Sequence, residues 1–92
     1  MKVAVTSMGQ NLESKVDARF GRAKWFIVAD TGTTQFQVIN NEQNLNASLG
    51  AGIQTAENIS WHGVEAVITG NCGPKAFKTL SAAGIRIYCD AE

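Results

Sequence analysis

Between residues 64 and 89 the hydrophobic period switches twice. Val64 to Thr69 is a short apolar run, Pro74 to Ala83 sets Phe77, Leu80 and Ala83 at helical spacing, and Ile85 to Cys89 is apolar again. A strand–helix–strand unit this short has one common solution, two neighbouring parallel strands joined by a right-handed crossover. Pro74 suits the first helical position, where its missing N–H costs nothing, and Gly84 suits the stop. A parallel pair does not fold alone, so the preceding residues must supply more sheet.

They do so. Lys2 to Thr6 holds the run Val3-Ala4-Val5, and Lys24 to Ala29 is aromatic and β-branched. Asp30 to Thr34 has turn chemistry, and Gln35 to Ile39 then alternates, with Phe36 and Val38 on one face, as in a hairpin whose second strand lies toward the edge. Asn40 to Ser48 is a polar connector. From Leu49 onward Ile53, Ala56 and Ile59 recur at helical spacing, with Gly63 in the C-terminal capping role. The order β-β-β-α-β-α-β predicts a single α/β domain with a mixed five-stranded sheet. The spatial order is 3-2-1-4-5, with strand 1 parallel to strand 4, and helices flank the sheet.

Ninety-two residues allow one domain and one core. A catalytic cleft between two lobes of the same chain is excluded. Eight Lys and Arg balance eight Asp and Glu, which disfavours a general nucleic-acid binder. No apolar run approaches ~18 residues, so no membrane span is expected. The first residues are too short an apolar run for a signal peptide. Two cysteines, Cys72 and Cys89, are too few for a disulfide framework, so free thiols and a cytoplasmic location are expected.

In an open α/β sheet, ligands bind beyond the carboxyl ends of the parallel strands. The loop after Thr6, the turn Gly70-Asn71-Cys72-Gly73 and the tail after Tyr88 should meet there. Glycines in the turn let backbone approach a ligand, and the following helix offers N–H groups and partial positive charge. Cys72, just before that helix, is in a position that favours a thiolate, a soft-metal ligand; the alternative is a half-buried, inert thiol. Cys89 ends the adjacent strand, close enough to share a metal or form a regulatory disulfide, or it packs as a small hydrophobe. Asp17-Ala18-Arg19-Phe20-Gly21-Arg22 carries two arginine forks suited to anions, or is a structural loop in which Phe20 plugs the core and Arg19 pairs with Asp17. His62 reads as a helix-end cap and Met8 as a loop or core residue. Asp17, Asp30 and Glu65 show no paired spacing, so hydrolytic and two-metal chemistry are unsupported.

Asp17-x-Arg19-Phe20-Gly21-Arg22-Ala23 resembles the D-x-x-F-G-R-A loop of the dinitrogenase iron–molybdenum cofactor biosynthesis family. Gly50-Ala51-Gly52-Ile53-Gln54-Thr55-Ala56 is similar to the start of that family's first helix. Gly70-Asn71-Cys72-Gly73-Pro74-Lys75-Ala76-Phe77, with Leu80, Ala83-Gly84-Ile85 and Tyr88, resembles its G-N-x-G-P-x-A-F…L…A-G-I…Y segment. The resemblance runs over residues 1–90 and extends the domain reading to 1–92. It implies ribonuclease-H-like topology and a non-enzymatic role: binding or carrying a preformed molybdenum-containing metal–sulfur cluster, Fe–Mo–S or, as in relatives called orange proteins, Mo–Cu–S.

Such clusters are anionic and present soft sulfides, which suits arginines, helix N–H groups and one thiolate. The expected site is Arg19, Arg22, Asn71, Cys72, Gly73 and Lys75, with Cys72 as metal ligand. The implied partners are the cluster and its donor and acceptor proteins. Two departures stand out. Asn46-Ala47-Ser48 occupies the connector where relatives carry a His, and the sequence ends at Glu92 where relatives continue into another helix. A missing helix would expose sheet surface and favour a weak homodimer. The rival readings are a cofactor-free interaction module and a thiol redox switch through Cys72 and Cys89. A nuclease, suggested by topology alone, lacks the carboxylate cluster it would need.

Overall fold

Strand β1 (Lys2–Ser7) is the middle of the sheet. Its apolar residues face both ways, and it is paired on both sides, as such a run requires. On one side it runs antiparallel to β2 (Trp25–Asp30), which turns back as β3 (Phe36–Asn40). On the other it runs parallel to β4 (Ala66–Ile68), which pairs in parallel with β5 (Arg86–Tyr88). The order is β3-β2-β1-β4-β5, as the sequence predicts. Helix α1 (Ala51–Ser60) precedes β4, and α2 (Pro74–Ala82) is the crossover to β5. This computed structural model describes residues 1–11, 13–33, 35–41 and 51–89. The expected helix start at Leu49, most of the polar connector with Asn46-Ala47-Ser48, and the expectation about a C-terminal helix all lie outside the described residues.

Register assigns each strand residue to a face. Ala4 pairs with Val28 and with Val67, and Phe26 pairs with Ile39. These residues form one core with Ala56 and Ile59 of α1 and Ala76 and Leu80 of α2, so both helices cover the same face. Phe20, only 1% exposed, inserts from the loop before β2 and meets Phe26 edge to face, ring centroids 5.3 Å apart at 78°.

The strands after α1 are shorter than the apolar runs suggest. Val64 and Ile85 are buried, but they pack into the core before the ladder begins. The stripe of α2 is also displaced. Ala76 and Leu80 are buried, whereas Phe77 is half exposed and Ala83 is exposed at the C-cap. With Pro74 fixed at N1, the i, i+4 pair that faces the sheet is 76 and 80. On α1, Gly52 lies where an added Cβ would meet the Ala76 Cβ at 3.4 Å, so a small residue lets the two helices pack closely. Gly63 and Gly84 adopt φ of 70° and 78° where the helices stop. His62 caps as expected, its Nδ1 2.9 Å from the Asn58 carbonyl.

Phe20 is a large aromatic that a loop holds in the core. Phe20→Ala is expected to cost ~3–5 kcal/mol, read as a fall in the urea midpoint with the m-value unchanged.

Candidate functional site

The carboxyl ends of β1 and β4 are fastened by hydroxyls. Thr6 and Thr69, both fully buried, lie 2.9 Å apart through their Oγ1 atoms, and the Thr6 hydroxyl donates to the Asp17 carbonyl at 2.7 Å. The Asp17 N–H returns to the Thr6 carbonyl at 2.9 Å. This anchors the start of the 17–23 loop on the sheet. Asp17 then shapes the turn: its Oδ1 accepts the Arg19 N–H at 2.9 Å and lies 3.9 Å from the Arg19 Nε.

From there the loop crosses the 70–73 turn. Arg19 and Asn71 form a parallel bridge, and the Phe20 N–H donates to the Asn71 carbonyl at 3.0 Å. At the crossing a Cβ on Gly70 would stand 2.6 Å from the Ala18 Cα and 2.9 Å from its carbonyl oxygen. Only glycine permits two backbones to approach this closely. The structural reading of the 17–22 segment holds: Phe20 plugs the core and the Arg19 Nε lies 3.9 Å from Asp17, while the Arg19 side chain is 71% exposed beside the α2 turn.

At the start of α2, Asn71 Oδ1 accepts the Gly73 N–H at 3.2 Å, and Gly73 has φ of 73°. The N-cap residue is Gly73, which offers no side-chain cap, and the first-turn N–H groups carry the positive end of the helix dipole. Lys75 is exposed on this turn, and Arg22 is exposed further along the crossing loop. The structure thus brings Arg19, Asn71 and Gly73 together at the head of α2, with Lys75 on the first helical turn.

Cys72 is 7% exposed and belongs to the core, in line with the inert alternative rather than with a ready thiolate; Cys89 is exposed and does not pack as a small hydrophobe. The helix-terminal position does not lower the Cys72 pKa. Burial, and secondarily the nearby charge of Cys89, push it up to about 11. Both thiols are free, and no group of three or more His, Cys, Asp or Glu side chains could hold a metal among the described residues. Any metal–sulfur cargo here would therefore bring its own sulfide ligands. The exposed cations and helix N–H groups fit such an anion; the buried thiol would have to lose its proton to the metal.

Met8, 66% exposed just past β1, is a loop residue. A depression of ≈ 270 Å³ lies at the opposite end of the sheet, lined in part by Lys2, Asp30, Gln35 and Phe36. Asp30 there pairs with the N-terminal ammonium at 3.6 Å, and its carboxyl is held below the usual range, chiefly by the Gly32 N–H. The Thr6–Thr69 pair is a feature that sequence reasoning missed. Its signal is a threonine closing each of two apolar strands that run parallel.

The 17–23 loop and the head of α2 thus meet at one edge of a small α/β domain. The chain is a member of the family described as Dinitrogenase iron-molybdenum cofactor, which matches residues 1–92. The apo form of the orange protein from Desulfovibrio gigas has 42% identity and a TM-score of 0.96, over 99% of this chain and 76% of that one. A NifB-like protein from Thermotoga has 37% identity and a TM-score of 0.79, over 94% and 72%. An uncharacterised protein of Methanocaldococcus jannaschii is 30% identical over 78 residues, 82% of this chain and 65% of that relative's length. Among the described residues no helix is long and apolar enough to cross a membrane.

Two outcomes test this geometry. Gly70→Ala is expected to destabilise by ~2 kcal/mol or more, because backbone must move; Gly63→Ala, whose Cβ meets nothing within 4 Å, carries only the cost of its positive φ and serves as comparison. Iodoacetamide at about pH 8 should alkylate Cys89 first, with Cys72 lagging by more than ~tenfold and accelerating as pH rises toward 11. Mass spectrometry of peptides over a time course reads both rates.

Proposed function

We propose that this protein carries a preformed, molybdenum-containing metal–sulfur cluster as cargo, without catalysing a reaction on it. The observation that carries the reading is the crossing of the 17–23 loop over Gly70, which fixes Arg19 at the uncapped N-terminus of α2. Arginine and oriented N–H groups recognise diffuse negative charge without competing for the metal. Membership of a family described by the iron–molybdenum cofactor supports this cargo class. The likeness to the orange protein supports the same fold for it.

In this reading Arg19, Arg22 and Lys75 balance the cluster's charge, Asn71 and Gly73 shape the turn, and Cys72, within that turn, is the thiol that would ligate the metal once deprotonated. Donor and acceptor proteins would load and unload the cluster at this edge. Both partners and cargo would be handled in the cytoplasm.

The test is anaerobic titration of the metal-free protein with molybdenum–sulfide plus Cu(I) and, separately, with iron–sulfide, followed by desalting. A saturating visible band with stoichiometric metal on the protein fraction is expected. Arg19→Ala should weaken retention about tenfold, the scale of one lost charge-assisted contact. Cys72→Ala should weaken it far more than Cys89→Ala. Equal retention in all three variants and the parent would remove the site assignment. No retained metal from either mixture would favour the interaction-module reading, and a disulfide found by thiol counting after oxidation would favour the switch.

A further inference from the structure

The 17–23 loop is fastened at both ends by buried polar side chains. At its start Thr6, bonded to Thr69, holds the Asp17 carbonyl. At its exit a second pair acts in the same way. Asn41, the residue after β3, and Thr55, on the second turn of α1, are both fully buried. The Asn41 Nδ2 donates to the Ala23 carbonyl at 2.9 Å and to the Thr55 Oγ1 at 3.1 Å. The Asn41 backbone N–H donates to the Lys24 carbonyl at 2.8 Å. Two antiparallel pairings bring β3 round to the direction of β1, so Asn41 stands at the same carboxyl edge as the 70–73 turn. One residue thus joins the loop exit, the end of β3 and helix α1.

Filling space does not require an amide here. A buried hydrogen-bonded pair and an apolar pair of the same shape contribute about equally to stability. What the amide adds is direction, because only a donor can hold a carbonyl in place, and a fully bonded buried network is rigid. The carbonyl it holds closes a short turn. Phe20 and Ala23 are both in the core, and the Ala23 N–H reaches back to the Phe20 carbonyl at 3.5 Å. Gly21 and the exposed Arg22 form the tip between them. The turn starts where the Phe20 N–H bonds the Asn71 carbonyl, so its tip lies beside the head of α2.

We propose that Asn41, braced by Thr55, is a positioning residue for the cargo: by holding the exit of the 20–23 turn it sets where Arg22 meets the cluster. The assignment rests on the carrier reading of this edge. Asn41 is buried and does not touch the cargo; it acts through the Ala23 carbonyl. Thr55 ties the turn to the helix pair, because Gly52 of α1 lies against Ala76 of α2. The loop exit is thereby referenced to the same helix whose N-terminus belongs to the site.

A double-mutant cycle tests this in the anaerobic titration with molybdenum–sulfide plus Cu(I), read as metal retained and as the visible band. Arg22→Ala should weaken retention about fivefold, and Asn41→Ala by a similar factor. The two together should weaken it scarcely more than either alone, since both remove the same contact; independent losses would multiply to about twenty-five-fold. Ile59→Val, a core substitution on α1 away from the pair, lowers stability and should leave retention at the parent value. Unchanged far-UV circular dichroism checks the fold of each variant. Should Asn41→Ala fail to fold, Thr55→Val takes its place in the cycle, with Thr55→Ser, which keeps the hydroxyl, restoring retention. Multiplying losses, or a loss in Ile59→Val equal to that in the clamp variant, would overturn the assignment and leave the carrier reading standing. Failure of the parent chain to retain metal would overturn the carrier reading and this assignment with it.

Discussion

The candidate site depends on one contact, the backbone of Ala18 lying on Gly70. The arrangement of the whole carboxyl edge derives from it. The 17–23 loop reaches Gly70 because Thr6 and Asp17 fasten its start, and it leaves with Phe20 buried against Phe26. Between these anchors the chain has no slack, so Arg19 is held next to Asn71 rather than ranging over the surface. A long flexible cation loses rotamer freedom when it binds, and a fixed backbone beneath it lowers that loss. The buried apolar anchor and the exposed charged side chain are therefore parts of one device.

The turn at the head of α2 has no side-chain cap. An N-cap serine or aspartate would satisfy first-turn N–H groups and contribute about 1 kcal/mol. Here that position is Gly73 at positive φ, and Asn71 turns its amide oxygen to the Gly73 N–H instead. The helix terminus has Arg19 bridged to Asn71 on the incoming turn and Lys75 exposed on its first turn. A local rule of helix stability is broken where the proposed chemistry needs an open dipole.

The sheet order, the crossover and the places where helices stop were legible because period and punctuation agree: Pro74, Gly63 and Gly84 sit where apolar spacing ends. The 17–23 and 70–73 segments were legible as motifs. The direction in which short side chains turn was not. Cys72 and Phe77 both take their orientation from the turn that Pro74 fixes. A rotation of about 100° per residue decides that Ala76 and Leu80 face the sheet while Phe77 does not. The Cys72 thiol illustrates the same limit. Proximity to a helix N-terminus favours the thiolate, but burial in the core disfavours it, and sequence position reports only the first. Gly70 carried no periodic signal, because its role is to meet the backbone of Ala18, far upstream in the chain.

A site built this way treats an anionic cluster differently from a metal ion. Ligating side chains would bind metal through bonds that must be broken again at delivery. Charge and N–H donors act on the outer sulfides and leave the metals' own coordination intact, so release needs only competition for the same donors. Among the described residues no group of three or more ligating side chains could hold the metal, so in this reading at most a Cys72 bond would have to break on release. A carrier gains from holding its cargo by surface electrostatics over a rigid edge, because the same weak attachments can be made to an acceptor that presents the stronger ligands.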